Sequence, residues 1–131
     1  MAERTSDWMA QARRDLENAR YNRAGSFWEW ACFAAQQAAE KALKAVYQSL
    51  GADAWGHSVF GLLQGLQEKT EVPPGLFDAA RQLDRYYIPS RYPNGWSAGA
   101  PKDMFVDEDA QHAVGCAEEI LRFCDGLLAR P

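Results

Sequence analysis

The feature that most restricts this chain is an uninterrupted run from Ser26 to Leu50, built around Ala34-Ala35-Gln36-Gln37-Ala38-Ala39-Glu40-Lys41-Ala42-Leu43-Lys44-Ala45. Glycine and proline, which break helix interiors, are both missing from it, and alanine is the strongest helix former. At about 100° per residue, Ala31, Ala34, Ala35, Ala38, Ala42 and Ala45 fall on one side, and Leu43, Val46 and Leu50 extend that stripe. Gln37, Glu40, Lys41, Lys44 and Gln48 take the opposite face. Small side chains let neighbouring helices approach closely, so the run predicts the central helix of a packed bundle.

The rest of the chain fits around it. A first helix is expected over about Ser6 to Tyr21, with Trp8, Ala12, Leu16 and Ala19 at spacings of three and four and Gly25 as its breaker. Ser26 and Glu29 have the spacing of a capping box opening the second helix, and Gly51 is placed to end it. A short third helix follows His57-Ser58 and carries Val59, Leu62, Leu63 and Leu66. Pro73-Pro74-Gly75 punctuates, and a fourth helix spans about Leu76 to Tyr87 until Pro89 stops it. From Pro89 to Val106 the abundance of proline and glycine predicts a long irregular loop. Asp107 is placed to cap a last helix whose apolar stripe runs through Ala110, Ala113, Val114, Ala117, Leu121, Cys124 and Leu128. No segment alternates with period two. The predicted fold is therefore all-α: an antiparallel up-and-down bundle of four main helices plus one short helix, with a long loop before the last, as one domain over residues 1–131.

Composition excludes several classes. With 47% hydrophobic and 24% charged residues in 131, the chain matches an ordinary globular domain able to bury one core. No apolar run is long enough to span a bilayer, so no membrane association is expected. The start, Met-Ala-Glu-Arg-Thr-Ser-Asp, lacks an apolar signal core, and three cysteines (Cys32, Cys116 and Cys124) cannot all pair within one chain. Both point to a cytoplasmic protein with buried thiols. The net charge of −4 argues against a uniformly basic nucleic-acid surface. Charge is uneven, however: Arg81 to Lys102 holds four bases against Asp84 alone, and Asp103 to Pro131 sums to −5. A local basic patch suits a compact anion such as a nucleotide phosphate.

Arg91 and Tyr92 are the leading candidates for such a site, because a guanidinium grips phosphate oxygens and a neighbouring ring stacks on a base. The competing expectation is a loop pinned by Arg91 pairing with Asp84 or Asp103, with Tyr92 packed inward. Arg85 and Tyr86 at the end of the fourth helix, and Lys44 and Lys41 on the second, complete the candidate phosphate-binding set. Glu40 with Lys44 forms an i,i+4 pair, and Asp84 is close enough along the helix to neutralise Arg81. Gln36, Gln37 and Glu40 could line a groove or serve packing. Trp30 falls on the polar side of its helix, as an interface residue would. His57 and His112 have no metal-ligand spacing, and Gly95-Trp-Ser-Ala-Gly99 lacks the strand and Lys-Ser/Thr of a phosphate loop. No metal, cofactor or catalytic residue is assigned.

Read in order, these segments resemble the HEPN domain family of small helical bundles. The resemblance is carried by Trp8, Ala12 and Asp15-Leu16, by Trp30 to Ala45, by His57-Ser58, by Leu83-Asp84-Arg85-Tyr86-Tyr87-Ile88-Pro89-Ser90-Arg91-Tyr92-Pro93, and by Asp109-Ala110. It implies a homodimer with a groove at or near the interface, and a nucleotide or RNA ligand. Many prokaryotic members of the family act beside a minimal nucleotidyltransferase as a toxin–antitoxin pair. Others cleave RNA, and a eukaryotic relative at the end of a giant chaperone-like protein binds nucleotides.

The RNA-cleaving members carry an Arg followed, after four to six residues, by a His. Here those positions hold Tyr86, Tyr87 and Ile88 after Arg81, Ser90, Arg91 and Tyr92 after Arg85, and Trp96, Ser97 and Ala98 after Arg91. The expected function is thus nucleotide binding. An RNA-cleaving toxin and a non-catalytic protein-interaction module are the alternatives.

Overall fold

The computed structural model describes residues 3–130; Met1, Ala2 and Pro131, the ends of the expected domain, lie outside the described residues. Among the described residues six α-helices follow one another: α1 (Thr5–Ala24), α2 (Trp28–Ser49), α3 (Val59–Leu66), α4 (Pro74–Asp84), α5 (Pro101–Met104) and α6 (Asp107–Leu128). No strand occurs among the described residues, and the all-helical bundle is the one the sequence predicts.

Helix α2 is the axis, with α1 and α6 packed along it and α3 and α4 closing the remaining side. Ala31, Ala35, Ala38, Ala42 and Ala45 have no exposed surface, and neither do Cys32, Ala39 and Leu43. Burial therefore wraps most of the helix rather than one stripe, so Glu40, expected on the solvent face, is only 4% exposed. Direction follows from the side chains that meet. Lys41 pairs with Asp15, and the Arg4 main-chain N–H donates to Gln48, so α1 runs antiparallel to α2. Arg13 meets Asp125 at 2.7 Å, Arg20 meets Glu118 at 2.6 Å and Arg23 meets Asp107 at 2.9 Å, so α1 is also antiparallel to α6. Exposed pairs of this kind contribute about 0–1 kcal/mol each, so they fix register more than they stabilise.

The α1–α2 junction corrects the expected capping box. Ser26 has φ of +67°, and the N–H groups of Ser26 and Phe27 donate to the carbonyls of Arg23 and Asn22 at 3.1 and 2.8 Å. Ser26 is thus the left-handed residue of a Schellman motif ending α1, and Phe27 stands at the start of α2 with no side-chain cap. At the far end of α2 the expectation holds. Gly51, at φ +65°, and Ala52 donate to Gln48 and Tyr47, closing the same motif with the residue that carries no Cβ penalty.

Asp107 does not cap α6. Val106 occupies the cap, its N–H donates to Asp109 at 2.9 Å, and Asp107 turns to Arg23, which holds its carboxyl below the usual range. Helix α4 begins at Pro74, where the missing N–H costs nothing, and ends at Asp84 rather than Tyr87; turns continue from there.

The segment from Pro89 to Val106 is less irregular than expected, since it contains a 3-10 turn over Pro93–Gly95 as well as α5. Its anchor is Trp96. The indole N–H donates to the Pro89 carbonyl at 2.8 Å, and the ring meets buried Phe105, which in turn meets Tyr86. A Cβ on Gly95 would stand 3.1 Å from the Pro89 Cα, so glycine there lets the loop close on itself. Ser90, 1% exposed, donates its hydroxyl to the Tyr86 carbonyl.

Candidate functional site

The turn that follows α4 brings Arg91 back against α2. Its guanidinium carbon lies 4.3 Å from the ring centroid of Phe33, 4.7 Å from that of Tyr87 and 4.9 Å from that of Tyr92. The Nε–H donates to the Tyr87 carbonyl at 2.9 Å, one helical turn back, which fixes the plane of the group. Three aromatic neighbours stabilise the cation, and of its terminal nitrogens only Nη1 has a partner among the described residues, a long contact of 3.5 Å to the Tyr92 hydroxyl. Neither acid expected to neutralise it does so. Asp84 accepts from the Ser58 hydroxyl and from the N–H groups of Val59 and Phe60, capping α3, while Asp103 takes Lys102 and the Ala100 N–H. Arg91 makes no ion pair among the described residues, and Tyr92 is 47% exposed rather than packed inward.

Beside this cation lies a buried polar network that starts from α2. Gln36 and Glu40, one turn apart, sit at 0% and 4% exposure. Glu40 accepts from Lys44 at 3.1 Å and from Gln36 at 3.3 Å, and its carboxylate lies 3.2 Å from Nδ1 of His57. Gln36 also donates to the His57 main-chain carbonyl at 2.9 Å, so the segment before α3 is tied to α2 twice. The His57 ring stacks on Tyr87, centroids 4.8 Å apart and 17° from parallel. Tyr87 therefore joins the two halves: Glu40 and His57 to one neighbour, Arg91 and Phe33 to the other. Trp30, 45% exposed, meets Phe33 edge-on at the rim.

Of the residues singled out from the sequence, Arg91 and Tyr92 are brought together, and Lys44 joins the network through Glu40. Lys41 faces α1, where Asp15 holds it at 2.5 Å. Arg85 is exposed and hydrogen-bonds Gln82. Tyr86 lies apart from the site: it is 6% exposed, its hydroxyl accepts from Gln82, and burial pushes its pKa up to about 12. Arg81 pairs with Asp78, not Asp84.

Phe33 and Tyr87 were not among the sequence candidates, and Glu40 and His57 were weighed there without being placed in the phosphate-binding set. For Tyr87 a signal existed. Leu76, Ala79, Ala80 and Leu83 form the buried stripe of α4, and Tyr86 continues it at the next i+3 step. Tyr87, about 100° further round, is left to face the site.

A model of the HEPN domain family matches residues 5–127. Among solved structures, TT1696 from Thermus thermophilus is 43% identical, with a TM-score of 0.93 over 96% of this chain and 99% of that one. ST0689, an archaeal HEPN homologue, is 42% identical, with a TM-score of 0.81 over 95% and 98%. A HEPN domain protein of Thermotoga maritima, TM0613, is 41% identical, with a TM-score of 0.80 over 95% and 99%. A comparison with curated proteins finds none that matches. Matched over nearly its whole length in sequence and in fold, the chain belongs to the HEPN domain family.

Proposed function

We propose that this chain is a nucleotide-binding, homodimeric HEPN module of the cytoplasm, working beside a minimal nucleotidyltransferase in a toxin–antitoxin-type pair. One observation carries the nucleotide reading: the half-buried Arg91 guanidinium sits among three aromatic rings without a carboxylate partner. Its terminal N–H groups suit phosphate oxygens, and the half-exposed Tyr92 ring suits a base. Exposed Phe27, Trp30 and Ile88 support a dimer contact at the rim of the site. The three buried thiols are in keeping with a reducing compartment. The nucleotidyltransferase partner is proposed by analogy with many prokaryotic members of the family. Equilibrium titration of the purified protein with ATP and GTP, with Arg91→Ala as control, tests the reading. Binding by the native protein that falls at least tenfold in the variant is expected; equal binding by both removes the assigned site.

A second reading, RNA cleavage, is favoured by one observation: His57 and Arg91 both lie against Tyr87. In this reading the histidine comes from another segment rather than from the spacing after an arginine. With Nδ1 facing Glu40, the Nε2 of His57 is free to take a proton from a ribose hydroxyl near a phosphate held by Arg91. Incubation with total RNA and transfer RNA in chelator decides it. Products lost in His57→Ala support cleavage, and intact RNA with the native protein disposes of it.

A further inference from the structure

Trp55, on the segment between α2 and α3, is 83% exposed, more than any other large apolar side chain among the described residues. It is one wall of a cavity of about 190 Å³ whose other lining residues include Trp8, Tyr47, Lys44 and Asp53. Lys44 stands 5.8 Å from the Trp8 ring centroid and is only 15% exposed, so its ammonium is fixed in place. Tyr47 spends its hydroxyl proton on the Leu62 carbonyl at 2.7 Å, which leaves its oxygen as an acceptor. The cavity thus combines flat aromatic walls with the Lys44 ammonium and the Asp53 carboxylate among its lining groups. Its volume admits a single planar ring system, far less than a helix face or a folded partner would need.

The cavity is linked to the Arg91 site by side-chain contacts. Lys44 touches Glu40, Glu40 touches His57, His57 stacks on Tyr87, and Arg91 lies against Tyr87, with no step in this path longer than 4.8 Å. Resting on the nucleotide reading of Arg91, we propose that the Trp8–Tyr47–Trp55 cavity is a nucleobase subsite, and that the ligand reaching both it and Arg91 is a short single strand rather than a mononucleotide. Aromatic walls accept the face of any base. Lys44 and Asp53, both at the cavity, favour a base edge that offers a carbonyl beside an N–H, as guanine, uracil and thymine do. Phe33, against Arg91, and Lys44, at the cavity, stand about 16 Å apart along α2, which suits a strand of about two or three nucleotides with a phosphate on Arg91 at one end and a stacked base at the other.

The experiment is a length series: fluorescence anisotropy of labelled mono-, di-, tri- and tetranucleotides against the native protein, Trp55→Ala, Trp55→Phe and Arg91→Ala. Native affinity should rise with each added nucleotide up to three and then level off. Trp55→Ala should remove that gain, between about fivefold and a hundredfold for one lost stack, leave mononucleotide binding unchanged, and be restored by Trp55→Phe. Arg91→Ala should weaken every length. Trp55 is exposed, so its variants are expected to fold, and circular dichroism checks that they do. If Trp55→Ala shows the native length dependence, the subsite is wrong while the Arg91 reading stands. Should the native protein bind none of the series, both fail.

Discussion

Nδ1 of His57 lies 3.2 Å from one carboxylate oxygen of Glu40 and 3.3 Å from the other. Lys44 and Gln36 reach the same two oxygens, so one buried carboxylate gathers a cation, an amide and an imidazole. A charge that deeply covered is tolerable only while its partners remain.

Glu40→Ala should therefore leave Lys44 buried and unpaired and release His57 from α2. The expected loss is about 3 kcal/mol of unfolding free energy, read as a lower urea midpoint. Glu40→Gln keeps the shape and part of the hydrogen bonding, so its loss should be smaller. An alanine variant within about 0.5 kcal/mol of the native protein would contradict this account of the network.

Ser26 predicts a change of the opposite sign. It holds a left-handed conformation that costs a residue with a Cβ about 1–2 kcal/mol. Ser26→Gly relieves that cost while adding some freedom to the unfolded chain, for a net gain of about 0.5–1 kcal/mol. The corresponding rise in thermal midpoint is about 1–4 °C. If the variant melts below the native protein, Ser26 acts through some contact other than its backbone.

Alkaline pH should weaken the fold. Burial pushes the Cys32 thiol up to about 12 and Cys116 up to about 11, raises Cys124 as well, and pushes Tyr86 up to about 12. In the unfolded chain, thiols titrate near 8.5 and tyrosine near 10. Because the folded values are raised, this stability is fully present below the unfolded values. It is lost as pH climbs through the folded ones, where the unfolded state binds fewer protons. Unfolding free energy should be level to about pH 8 and fall from about pH 9. Thiol reagents should be inert at neutral pH and reactive in urea. Rapid labelling of the native protein would place the cysteines elsewhere.

The sequence disclosed the bundle because α2 states its role in composition alone: alanine has no other use in a run that long. It disclosed Gly51 and the Pro89–Val106 turn for similar reasons, since glycine and proline act locally. Ser26 was misassigned because serine serves both the end of one helix and the start of the next. Which of the two applies depends on where α1 stops, three residues beyond Tyr21, the end expected for α1. Glu40 was misassigned because periodicity sorts residues by face, and a helix enclosed nearly all round has no free face. Arg91 was legible from its flanking prolines and tyrosine. Its neighbours Phe33 and His57 were not, because tertiary approach between distant segments leaves no trace in spacing.

The slenderness of α2 reaches beyond the core it fills. A rod whose buried surface is largely alanine methyl groups holds the two helices beside it at a separation that the three arginine–acid rungs are cut to span. Thickening the rod anywhere along its length would splay those outer helices and stretch the rungs together. The diameter of one helix is thus a dimension shared by the whole molecule.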